Sequence, residues 1–187
     1  EGQGFVSLGT SGVLFAATDR YLPRPESAVH AFCHALPGMW HQMGVILSAS
    51  AAMEWLSSIV GRNPAELTAE LGHELRAPGE GTFLPYLSGE RTPHNDAQAR
   101  ASFDGLSART DRAAMTQAVL EGVAFAFADN LAALRAAGSD PKALLALGGG
   151  ARSDYWLQVI ATALDLPVLV PESGDFGAAF GAARLGL

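Results

Sequence analysis

Cysteine occurs once in the 187 residues, at Cys33. No disulfide can form within the chain, and a thiolate zinc site would lack its other ligands. A reducing compartment, the cytoplasm, fits that usage best. Charge is scarce as well: 17% of residues are charged, and 12 basic residues face 19 acidic ones for a net −7, against about 25% charged in ordinary soluble domains. No run of Lys or Arg is present, so the chain lacks the basic footprint that nucleic acid or an anionic membrane requires, and neither is an expected partner. No apolar run reaches the ~18 residues of a membrane helix. Glu1-Gly2-Gln3 is neither an initiator methionine nor the basic start of a signal peptide, so the expectation is a chain that begins inside a longer protein. The small-residue, helix-like run at 177–187 stops without a cap or polar tail, which fits the same expectation. Internal repeats of 20–50 residues are lacking too.

What is abundant is apolar surface, at 49% of residues, together with 21 glycines and 10 prolines. A chain of this size and composition buries a sizeable core as one domain. Phe5-Val6-Ser7-Leu8 and Val13-Leu14-Phe15-Ala16-Ala17 flank Gly9-Thr10-Ser11-Gly12, which predicts two strands and a tight turn. Residues 28–34 add a third strand before Pro37-Gly38. From Gly44 the pattern changes: Val45, Ala49, Ala52/Met53, Leu56 and Ile59/Val60 recur at three- and four-residue steps, predicting a helix that ends near Gly61. A second helix is predicted over 65–75. Pro85 makes 83–87 an edge strand or extended loop, and 88–108 reads as a long irregular loop, a feature often functional. Thr110 or Asp111 caps a helix to about Ala137, some 40 Å at about 1.5 Å per residue, with Gly138 as its stop. Ala143-Leu144-Leu145-Ala146-Leu147 reads as a strand buried on both faces. Ser153 caps the next helix, with Trp156/Leu157, Ile160 and Leu164 on its apolar face; 166–170 is a strand, and the last helix begins near Gly174. The order predicts a mixed α/β sheet with an N-terminal β-meander, parallel strands further on and flanking helices.

Two glycine turns carry the chemistry. Gly9-Thr10-Ser11-Gly12 has what a phosphate requires: backbone amides reachable without an obstructing Cβ, and two hydroxyl donors. A plain hairpin turn accounts for the same four residues. Gly148-Gly149-Gly150-Ala151 follows a strand and precedes a helix, where α/β sheets bind ligands. It matches neither G-x-G-x-x-G nor G-x-x-x-x-G-K-[ST], yet three glycines suit a flat purine and ribose lying on the backbone. A tight strand-to-helix turn is the alternative. Together, a phosphate-type hairpin and a distant backbone-exposing turn are what the split nucleotide site of an actin-like ATPase demands.

The chain resembles the FGGY carbohydrate kinases. The resemblance rests on Ser7-Leu8-Gly9-Thr10-Ser11-Gly12-Val13, Phe32-Cys33-His34-Ala35-Leu36-Pro37-Gly38 and Trp40-His41-Gln42-Met43-Gly44 with Leu47-Ser48-Ala49. It continues through Pro85-Tyr86-Leu87-Ser88-Gly89-Glu90-Arg91-Thr92-Pro93-His94-Asn95, Leu120-Glu121-Gly122-Val123-Ala124-Phe125-Ala126-Phe127 and Gly148-Gly149-Gly150-Ala151-Arg152-Ser153. It implies an actin-like, ribonuclease H-like domain over 1–187, the C-terminal nucleotide-binding half of a kinase whose sugar-binding N-terminal domain lies outside this chain. By the resemblance Gly9, Thr10, Ser11 and Gly12 face the β/γ-phosphates of ATP. Ser50, Glu54, Gly149, Gly150, Ala151 and Asp154 lie at the nucleoside, and Mg²⁺ bridges the phosphates inside a shell largely of water. The implied reaction is transfer of the γ-phosphoryl of ATP to the 5-hydroxyl of D-xylulose, with another sugar or polyol of the family, or a non-catalytic nucleotide-binding module, as alternatives. The family's general-base aspartate stands in a Gly-Asp-Asn/Gln segment just upstream of the hairpin. Glu1-Gly2-Gln3-Gly4 does not supply it, so no catalytic residue is assigned and these residues alone are expected to be inactive.

Glu90, Arg91 and His94 make an acid/base cluster on the long loop. Loop ordering, through Glu90 or Asp96 pairing with Arg91 or Arg100, is favoured over direct catalysis. His30, His34 and His41 read as structural rather than metal-binding, Trp40, Trp55 and Trp156 as core, and Glu66, Glu70 and Glu74 as one solvated helix face. Low charge and uncovered apolar surface favour a homodimer.

Overall fold

The computed structural model describes residues 3–172 and 177–186. One six-stranded sheet organises the chain in the order β3-β4-β2-β1-β7-β8. β1 (Gln3–Leu8) and β2 (Gly12–Thr18) form an antiparallel hairpin in which Leu8 pairs with Gly12. β4 (Trp40–Ile46) pairs antiparallel with β2, and β3 (His30–Cys33) closes that edge. On the other side β7 (Ala143–Leu147) and β8 (Val168–Leu169) run parallel to β1. This is the expected mixed sheet with an N-terminal meander.

Several boundaries move. Residues 40–46 are a strand, and the helix predicted from Gly44 begins only at Ser50, as α1 (Ser50–Val60), ending at Gly61 as expected. α2 (Pro64–Ala69) is shorter than predicted, so Glu74 lies beyond it; Glu70 pairs with Arg112 instead of standing free in solvent. Inside the long loop, β6 (Ser102–Asp104) pairs with β5 (Thr82–Leu84) in a two-stranded sheet. α3 (Arg112–Ala136) starts at Asp111, whose carboxylate accepts from the Ala114 amide. α4 (Asp154–Leu164) starts at Ser153, and α5 spans Gly177–Leu185; the expected helix start near Gly174 lies outside the described residues.

The core lies between one sheet face and helices α1, α3 and α4. Val6, Leu8, Leu14 and Ile46 from the sheet meet Leu56, Val123, Phe127 and Ile160, all fully buried. α3 is long and apolar enough to meet the length and composition of a membrane span, although its apolar run is interrupted by polar residues, and 72% of its apolar window is buried inside this domain. Packing rather than lipid therefore accounts for its apolarity. The opposite sheet face carries a row of apolar side chains in register, Leu169, Leu145, Phe5, Phe15 and Met43. Leu145 is 45% exposed, so β7 is buried on one face only. On the same face Phe15 stacks on His41 at 4.7 Å and His41 meets His34 at 6.1 Å, which makes the histidines members of an aromatic ladder.

Candidate functional site

The hairpin between β1 and β2 is fastened to the start of α1 by its own carbonyls. The Ala49 and Ala51 amides donate to Thr10 O at 2.9 and 3.2 Å, and the Ser50 amide donates to Gly9 O at 2.9 Å. Ala49, at the N-cap, has no side-chain oxygen; the hairpin carbonyls satisfy the helix's first amides in its place. Ser50 Oγ adds a bond to Leu8 O at 3.1 Å. With the carbonyls drawn inward, Thr10 and Ser11 stand exposed, and among the described residues nothing accepts from their amides. Gly9 is half-buried and Gly12 buried. A Cβ on Gly12 would lie 2.5 Å from Phe127 and 2.6 Å from Ile46, so its packing alone demands glycine.

The triple-glycine bend lies directly against this hairpin. Gly148 has φ +90°, and a Cβ there would stand 2.9 Å from Leu8 C and O and 3.2 Å from Gly9 N. A Cβ on Gly150 would meet Leu8 Cβ at 2.8 Å and the Trp156 ring at 2.7 Å. That ring is fixed by its indole N–H, which donates to Leu120 O of α3 at 3.1 Å. Gly149, at the start of a short 3-10 turn (Gly149–Arg152), has open space where a Cβ would be. The two turns assigned to one ligand from sequence are therefore neighbours.

The glycine bend opens on a cleft of about 480 Å³, within the range of small-ligand sites; Gly9, Thr10, Ser11 and Gly12 do not line it but adjoin it through Gly148 and Ser50. Ser50 and Glu54 line one side, and Gly149, Gly150 and Asp154 another. Ala151 does not line it; it packs on the core. The sequence reading missed the third wall, Pro64, Ala65, Thr68 and Ala69 of α2 with His73. Its signal was available in Asn63-Pro64, a cap followed by proline at the first helical position, but nothing local marks a six-residue helix as a wall. No group of three His, Cys, Asp or Glu suited to a metal occurs among the described residues.

The long loop docks where β4 ends. Thr92 N donates to Val45 O at 3.0 Å, the Val45 amide donates to Thr92 Oγ1 at 3.1 Å, and Asn130 Nδ2 donates to Thr92 O at 2.9 Å. Glu90 and Asp96 meet through reciprocal backbone bonds, and Asp96 Oδ1 accepts from the Gln98 and Ala99 amides. The loop is ordered, but by these hydrogen bonds to main chain: the expected pairing of Glu90 or Asp96 with Arg91 or Arg100 is not what holds it, and Arg100 donates to the Ala97 and Ala99 carbonyls. His94 meets the Tyr86 hydroxyl at 3.1 Å.

The model of the FGGY family of carbohydrate kinases, C-terminal domain, matches residues 4–187. The chain belongs to this family. This FGGY domain is 45% identical over 184 residues to the xylulose kinase of Escherichia coli (strain K12), covering 98% of the chain and 38% of that relative. To the xylulose kinase of Klebsiella pneumoniae it is 46% identical over 186 residues, covering 98% and 38%. The crystal structure of a xyloylose kinase from Brucella ovis matches with TM-score 0.97 and 69% identity over 99% of the chain and 38% of that structure. Xylulose kinase from Rhodospirillum rubrum matches at TM-score 0.81 and 30% identity, over 100% and 38%. The FGGY domain thus has the actin-like ATPase fold of sugar kinases and spans 38% of the length of these relatives.

Proposed function

We propose that this FGGY domain binds ATP as the nucleotide-binding part of a xylulose kinase, which transfers the γ-phosphoryl to the 5-hydroxyl of D-xylulose. The observation that carries the reading is the contact of the Gly148 bend with Leu8 and Gly9, which brings a backbone cup for a nucleoside beside one for phosphates. The exposed Thr10 and Ser11, with amides lacking an internal acceptor, suit phosphate oxygens. The exposed glycine bend and the α2 wall suit a base and ribose, with Ser50, Glu54 and Asp154 at the rim. Residues fit the nucleotide, but among the described residues none forms a metal cage; Mg²⁺ would be held by phosphates and water, neutralising charge on the β- and γ-oxygens.

Phosphoryl transfer asks the protein mainly to position groups and stabilise charge, and separately for a carboxylate to take the hydroxyl proton. The hairpin supplies the first contribution. We assign no residue of this chain to the second, nor most sugar contacts. In a coupled ADP-release assay over a panel of ketoses and polyols, the full-length protein is expected to turn over D-xylulose best, and residues 1–187 alone not at all. A stronger response to another sugar would replace the substrate, and turnover by residues 1–187 would place the base among them.

A reducing, cytoplasmic setting belongs to the same proposal and suits the free, exposed Cys33. The row from Leu169 to Met43, with Leu169 52% and Leu145 45% exposed, favours self-association of the isolated domain. Sedimentation velocity is expected to give a homodimer, and a monomer at high concentration would count against it.

A further inference from the structure

Among the described residues Glu90 is the only charged side chain that is buried, at 3% exposure. Its Oε1 accepts from the Leu47 amide at 3.0 Å and from its neighbour Arg91's amide at 2.7 Å, while Oε2 has no partner. Leu47 stands between β4 and α1, two residues before the first of the three whose amides clasp the hairpin: Ala49, Ser50 and Ala51 on Thr10 and Gly9. One carboxylate on a distant loop therefore ties down the segment that ties down the hairpin. We propose that Glu90 is a positioning residue for nucleotide binding, fixing residues 47–51 and through them Thr10 and Ser11. The proposal rests on the ATP-binding reading above.

As a stabilising device the carboxylate is poor. Burial pushes its pKa above the ordinary 4.5, opposed by the bonds from the Arg91 and Leu47 amides and by nearby His94 and Arg91. A raised folded value means its contribution is whole below 4.5 and is lost as pH rises through that folded value. At neutral pH the buried charge opposes folding. What the side chain provides there is an acceptor at a fixed place, which glutamine provides without charge and aspartate, one methylene shorter, cannot bring to Leu47.

The test is steady-state kinetics of the full-length protein with ATP and D-xylulose varied separately. Glu90→Gln is expected to keep the KM for ATP within about twofold and to melt no lower than wild type at neutral pH. Glu90→Asp and Glu90→Ala are expected to raise the KM for ATP about tenfold with the sugar KM unchanged, the effect of one lost buried hydrogen bond. Wild-type ATP KM in folded Glu90→Asp or Glu90→Ala overturns the proposal, as does a Glu90→Gln enzyme as impaired as Glu90→Ala. If Glu90→Ala does not fold, the Asp and Gln pair decides alone. Calorimetry of the wild type separates the two readings: no ATP binding sinks the nucleotide assignment and this proposal with it, whereas normal binding with unresponsive variants sinks this proposal only.

Discussion

Gly148→Ala in the full-length protein is expected to weaken ATP binding at least about a hundredfold by calorimetry, equivalent to ~2.7 kcal/mol. Two costs combine. At φ +90° an L-residue is strained by about 1–3 kcal/mol. The new Cβ also stands 2.9 Å from Leu8 C and O, main-chain atoms of β1, which is held between β2 and β7 and cannot retreat. The bend must yield, and it yields away from the hairpin, parting the two turns. Gly149→Ala separates ligand contact from folding. Its Cβ meets nothing within 4 Å, so thermal stability should stay within the roughly ±0.5 kcal/mol usual for surface changes. If a nucleoside lies on this bend, the added methyl should nonetheless cost about tenfold or more in ATP affinity. Wild-type affinity in both variants would mean that the bend does not touch nucleotide.

The two turns were legible because glycine clusters beside buried strands state their backbone requirement locally. So was α3, with a cap at Asp111, a stop at Gly138 and an unbroken buried stripe. β4 was not, and its residues say why. The core-facing positions are Gln42, Gly44 and Ile46, only one of them apolar in the ordinary sense. Gln42 is buried because its amide donates to Leu22 O and Ala137 O while Ser139 Oγ donates to its Oε1. Gly44 is there because Asn130 occupies the space of a side chain. Long-range polar partners thus erased the alternation that marks a strand, and Val45 fell into step with the helix beyond. β6 shows one apolar residue, Phe103, whose meaning lies in its contact with Phe83 at 4.6 Å. The same limit applied to the long loop: Glu90 was legible as a loop residue, but its bond to Leu47 spans 43 positions.

Gly122→Ala should be the most damaging change within α3, although alanine favours a helix by about 1 kcal/mol over glycine. A Cβ at 122 would lie 2.1 Å from Phe83 O and 3.0 Å from Phe83 C, so the new methyl meets main chain that cannot rotate aside. The helix and the β5–β6 ribbon must separate, loosening the stack of Trp55, Phe83 and Phe103. Overpacking of this kind costs typically 1–3 kcal/mol and sometimes more, and a net loss of about 2–4 kcal/mol is expected from the urea midpoint. Phe83→Ala should not rescue it, because the obstructing oxygen belongs to the backbone; rescue would show that the side chain was the obstacle. The disturbance should also reach the cleft. Leu120 O, two residues away, holds the Trp156 indole whose ring abuts Gly150, so the variant should lose ATP affinity as well as stability. A protein destabilised to this degree with wild-type ATP affinity would show that α3 does not brace the glycine bend.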